Sequence, residues 1–127
     1  MTSTDDRRIT LANWLTDPDN KLFQRAIVNR VWANFFGSGL VEAVDDLRVT
    51  NPASNEPLFV AACDHLLKNK FDLKALMRVI LQSQTYQRSS ITLPENAADL
   101  RYGSHYVPRR LKAEVLLDTI SQVTAAP

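Results

Sequence analysis

The segment from Lys21 to Phe36, KLFQRAIVNRVWANFF, restricts the possible folds more than any other part of the chain. At about 100° per residue, Phe23, Ile27, Val31 and Phe35 share one sector of a helix, and Val28, Trp32 and Phe36 carry the apolar surface around most of the circumference. A helix that is apolar on nearly every side is stable only when other elements cover it, so it belongs at the centre. Asp19 or Asn20 stands where an N-cap belongs, and Gly37 where a left-handed stop belongs. The sequence therefore predicts one central helix bounded by these residues.

Taking Ile27 as the middle of the buried face puts Arg30 about 60° away, inside the apolar sector, and puts Arg25 and Asn29 on a polar stripe on the far side. A guanidinium in that position needs an acidic or carbonyl partner, because desolvating an unpaired charge costs several kcal/mol or more. Two sources are available. Asp45 and Asp46 follow the Gly37-Ser38-Gly39 turn, and Arg110, Glu114 and Asp118 form an ionisable strip at i,i+4 spacing near the end of the chain. The expectation is a buried salt-bridge network on Arg30 that joins the central helix to the last helix or to the 40s segment. The competing reading of the same residues is a polar binding pocket.

Other helices follow from the same signals. Ile9, Ala12 and Leu15 keep helical spacing, with Leu11 and Trp14 widening the face until Asp17-Pro18 ends it. Ser54-Asn55-Glu56-Pro57 introduces Leu58, Phe59, Ala62 and Leu66, with an acidic first turn. Asp72 caps a helix carrying Leu73, Leu76, Met77, Ile80 and Leu81. A last helix starts near Pro108 and carries Leu111, Val115, Leu116, Ile120 and Val123. No alternating β-type segment of useful length is present, so the predicted class is all-α: a single domain of about five helices in an irregular bundle. Two long loops, 38–53 and 87–107, separate them. Long ordered loops are commonly functional, and a flexible tether is the alternative.

Composition narrows the functional classes. The 127 residues suit one domain, and 45% hydrophobic content is enough to bury a core. With 15 basic and 14 acidic side chains the formal charge is +1, which gives no overall pull toward nucleic acid or an anionic membrane. Nucleic-acid binding would rest on arginines such as Arg78, Arg88 and Arg101 beside Tyr86, Tyr102 and Tyr106, but acidic residues interleave with them. The apolar runs are too short for a membrane span or a signal peptide. One cysteine, Cys63, and two histidines, His65 and His105, offer neither a zinc set nor a haem attachment motif, so no metal and no cofactor is expected.

Candidate chemistry is correspondingly thin. Asp45, Asp46, Glu114 and Asp118 supply the paired carboxylates that a hydrolase-like enzyme would need. Adjacent aspartates more often cap amides or bind arginine. Ser83, Ser89 and Ser90 lack a nucleophile elbow. Cys63, after two alanines on a helix, reads as a small packing residue, and His65 and His105 as surface or packing residues. The Gly37-Ser38-Gly39 turn sits at a helix C-terminus, where the dipole has the wrong sign for phosphate.

Several blocks occur together and in order: LANWLTDPDNKLFQRAIVNRVWANFFGSGLVEAVDDLR, NPASNEPLF, FDLKALMRVILQSQTYQRSS and YVPRRLKAEVLLD. In these the chain resembles the DUF1553 family, a domain of unknown function, across nearly its whole length. The motif positions fall here on Arg25, Asn29, Arg30, Trp32, Gly37, Gly39, Asp46, Tyr86, Arg109, Arg110 and Glu114. Lys21 stands where many relatives have proline. The family has no settled catalytic residues, so the resemblance transfers no catalytic role to any position. It implies the C-terminal part of a large exported bacterial protein of planctomycete type, following another domain and sometimes accompanied by a cytochrome-c-like domain. On that basis the chain, whose closing run SQVTAAP reads as a helix cut off or just finished, is expected to be a piece of a longer protein. The combined expectation is a non-catalytic accessory domain for interdomain assembly or ligand recognition. Its partner would be the upstream domain of the same polypeptide, docked near Trp14, Tyr102 and Tyr106.

Overall fold

The computed structural model describes residues 6–125. Residues 1–5 and the closing Ala126-Pro127 of the SQVTAAP run lie outside the described residues. Five helices follow one another: α1 (Arg7–Leu15), α2 (Lys21–Phe36), α3 (Glu56–Lys68), α4 (Leu73–Leu81) and α5 (Ala113–Thr124). No strand occurs among the described residues, and the chain is all-α. None of these helices is long and apolar enough to cross a membrane.

Local chemistry sets the helix ends. Asn20, rather than Asp19, caps α2, its side-chain oxygen accepting from the Phe23 amide at 3.3 Å. Gly37 closes α2 in the left-handed conformation, φ 88°, with its amide bonded to the Ala33 carbonyl. Asn55 caps α3 through the Leu58 amide, and Pro57 occupies the first turn, where its missing N–H costs nothing. Asp72 caps α4, accepting from Lys74 and Ala75. The last helix begins at Ala113, not near Pro108. Lys112 is extended (φ −62°, ψ 149°) and supplies no side-chain cap, and the non-helical stretch before it carries Arg109 to the end of α2.

The helices do not share the core equally. α2 packs on α3, and α3 on α4. The buried apolar set is Val28, Val31 and Trp32 from α2, Phe59, Cys63 and Leu66 from α3, Leu76 and Ile80 from α4, and Leu40 and Val41 from the loop after α2. Fully burying a side chain such as Phe59, Leu66 or Leu76 is worth about 1.5–3 kcal/mol. Neither α1 nor α5 contributes a buried residue. Four rings close the core's upper end: Trp32 stacks on Phe36 at 4.2 Å, and Tyr86 meets Phe35 and Phe36 edge-on at 5.9 and 5.7 Å.

Candidate functional site

The buried face of α2 is centred near Val28, about 100° around from Ile27. Gln24, Val28, Asn29, Val31 and Trp32 face inward. Asn29, expected on an outer polar stripe, is fully buried. Its side-chain amide donates to the carbonyls of Val41 and Val44 at 3.0 Å each, and its oxygen accepts from the Val41 amide at 3.0 Å. The loop can thus put Leu40 and Val41 into the core without leaving backbone groups unpaired, the usual obstacle to burying a loop. Gly39 lets the two approach. A Cβ there would lie 2.5 Å from the Val41 oxygen and 2.7 and 2.9 Å from the Asn29 amide atoms. Asn51 ties the far side of the loop by donating to the Glu42 and Asp46 carbonyls, and the Ser54 amide bonds to Leu40.

Arg30 corrects the expectation of a buried pin. It does pair with Asp45, at 2.6 Å, but the two side chains are 64% and 74% exposed. A surface pair of this kind is worth about 0–1 kcal/mol, not the several kcal/mol of a buried charge. Asp46 turns away from Asp45 to a two-bond contact with Arg48, and that guanidinium lowers its carboxyl pKa. The adjacent aspartates therefore serve different arginines.

Arg25 is half-buried: it holds Glu56 through two bonds, the longer 3.0 Å, and lies 4.2 Å over the Phe59 ring. The Arg25 bonds lower the Glu56 carboxyl pKa. Arg109 reaches back to α2, donating to the Asn34 and Phe35 carbonyls at 2.6 and 3.0 Å, and so caps a helix C-terminus with a cation. Its stem crosses Gly37, where an added Cβ would meet Arg109 Cδ at 2.6 Å. Gly37→Ala is expected to destabilise by about 2 kcal/mol, since the left-handed conformation alone costs about 1–2 kcal/mol for a residue with a Cβ. A urea midpoint matching the parent's would contradict this.

Arg110, Glu114 and Asp118 lie on or just before α5, exposed, and form no ion pair among the described residues. They are not joined to Arg30, Asp45 or Asp46. Of the three residues expected at an interface, Trp14 and Tyr102 are exposed (61% and 73%). Tyr106 turns inward, its ring edge-on to Tyr86 at 5.8 Å. Cys63 is buried, and desolvation pushes its thiol up to about 11. Iodoacetamide near neutral pH should therefore label Cys63 only after unfolding, and fast labelling of the native chain would show that α3 opens.

Sequence reading missed a second place. A cavity of ≈ 280 Å3 opens between the end of α2, the start of α3 and the 99–107 segment, lined among others by Trp32, Arg88, Arg101 and His105. These residues are far apart in sequence, and nothing in their local spacing brings them together.

Taken together, Asn29 and Arg109 fasten irregular segments to the central helix of a small all-α domain. The chain belongs to the family described as PSD1, protein of unknown function (DUF1553), whose model matches residues 7–127. No curated protein and no solved structure matches it.

Proposed function

We propose that this DUF1553 chain is a non-catalytic helical module that assembles with a neighbouring domain of the same polypeptide. The observation that carries this reading is α5. Leu116, Ile120 and Val123 fall within about 60° of one another around the helix axis, with Glu114 and Asp118 on the other side. Such a helix normally buries its apolar stripe. Here all three are exposed, with Val115 and Leu117 beside them, and α1 presents Ile9, Leu11 and Trp14 likewise. Single exposed apolar residues are ordinary, but an exposed stripe along one helix marks a contact surface.

The polar motif residues support the same reading. Asn29, Arg25 and Arg109 already spend their hydrogen bonds on holding the chain's own elements, which suits a scaffold better than a reaction centre. The wider setting is part of the proposal and rests on the family resemblance: a large exported bacterial protein, with a cytochrome-associated arrangement as one form. Hydrogen exchange of this chain and of the longer parent tests it. Amides of α1 or α5 should gain protection in the parent, and no gain in either helix would overturn the assembly role.

A further inference from the structure

We infer that the cavity beside Trp32 is a binding site for a small organic carboxylate with a flat, apolar body. The volume, ≈ 280 Å3, lies at the lower edge of the roughly 300–1,000 Å3 typical of ligand pockets, so the ligand is about the size of one substituted ring. The stacked Trp32 and Phe36 rings supply an aromatic wall, and Leu40 and Leu58 extend it. An apolar wall of this kind takes up the body of a ligand and leaves its orientation to a few polar groups.

Two of those polar groups are cationic, Arg88 and Arg101. Arg88 spends one guanidinium nitrogen on the Gly103 carbonyl. The Arg101 guanidinium makes no hydrogen bond or ion pair among the described residues and lies 5.9 Å over the Tyr102 ring. Asp99, the one carboxylate in the lining, is held ionised by its hydrogen bonds and offsets one of the two guanidinium charges, which leaves the lining net positive. Its oxygens accept from the amides of Arg101, Tyr102 and Ser104 at 2.8–3.0 Å, so it shapes the turn that presents Arg101.

His105 is the third polar group, only 8% exposed. Its Nδ1 lies 3.4 Å from Ser104 Oγ and its Nε2 has no hydrogen bond. No fully enclosed side-chain nitrogen or oxygen among the described residues lacks a partner, so Nε2 keeps open surface, and the ring lines the cavity.

A planar guanidinium fork matches a carboxylate through two parallel bonds. Phosphate fits less well, because the start of α3 is not a free amide cradle. Asn55 already occupies the Leu58 amide, and Pro57 has none.

The test uses the full chain carrying Trp14→Phe, which leaves Trp32 as the fluorescent reporter. Benzoate is titrated near neutral pH, with benzyl alcohol, acetate and inorganic phosphate as comparisons, and amide shifts of residues 99–107 are followed by NMR. Benzoate should give a saturable change in both signals, and each comparison compound should bind about tenfold more weakly or worse. Arg101→Gln, which removes no internal hydrogen bond, should weaken benzoate by about tenfold or more, while Arg78→Gln on α4 should bind like the parent. No saturable response to benzoate would overturn the site. So would equal affinity in Arg101→Gln, or phosphate binding as tightly as benzoate. The outcome is independent of whether α1 and α5 dock a neighbour.

Discussion

Truncating Asn29 to alanine is expected to lower the unfolding free energy by about 3–5 kcal/mol, the largest loss for any single truncation of a polar side chain here. Three hydrogen bonds disappear, and they are not equivalent to three surface bonds. Asn29 is fully enclosed, and its partners are backbone groups of a loop whose own side chains, Leu40 and Val41, are in the core. Each group left buried without a partner costs about 1–3 kcal/mol, and the freed volume adds to that. Asn29→Asp should fail as well, though by another route. It keeps the acceptor for the Val41 amide but turns the donor toward Val41 and Val44 into a second acceptor facing two carbonyls. Urea unfolding followed by circular dichroism measures both. A loss below about 1 kcal/mol for the alanine variant would mean that the loop repacks or that water replaces the amide.

Gly39→Ala is expected to cost about 3 kcal/mol, near the upper end for an overpacked site. The methyl would meet a backbone oxygen at 2.5 Å and the Asn29 amide at 2.7 and 2.9 Å. Neither neighbour is the loose end of a long side chain, so the loop itself would have to lift. Because Asn29 and Gly39 share this contact, their effects should not add. In an Asn29→Ala background, Gly39→Ala should cost less, yet still something, since the Val41 oxygen stays in place. Strict additivity in the double-mutant cycle would show that the two residues do not act on one another.

Much of the scaffold was legible from local chemistry. Asn20, Asp72 and Gly37 announce helix ends through interactions that span only a few residues, and such signals survive in any tertiary setting. The orientation of α2 was not legible, for a definite reason. Its apolar residues surround most of the axis, so hydrophobicity gave no sharp direction, and a shift of about 100° exchanged the roles of Asn29 and Arg30. A charged residue drew attention as the buried anomaly where an amide was the one enclosed. The Asn29 and Gly39 motif positions carried the better signal, because a glycine two residues beyond a helix stop is needed only where something approaches its backbone closely.

The rest depends on contacts between distant segments. Arg109 looks like the start of a helix in sequence, yet the residues around it stay outside any helix while its guanidinium caps α2, and α5 starts only at Ala113. Tyr106 reads as a surface aromatic until Tyr86 is placed beside it. The cavity wall joins α2 to a loop nearly seventy positions later, as Trp32 and Arg101 show, and no local pattern encodes such a meeting.

That Asn29 fastens the 40s loop to α2 is tested most directly at one amide. The Val41 N–H lies in a segment without regular structure, and apart from its bond to Asn29 it has the standing of a loop amide. Native-state hydrogen exchange by NMR is expected to find it protected to the level of the α2 core amides, opening only with global unfolding. Exchange of Val41 at the rate of its exposed neighbours Glu42 and Ala43, while α2 stays protected, would contradict the scaffold reading.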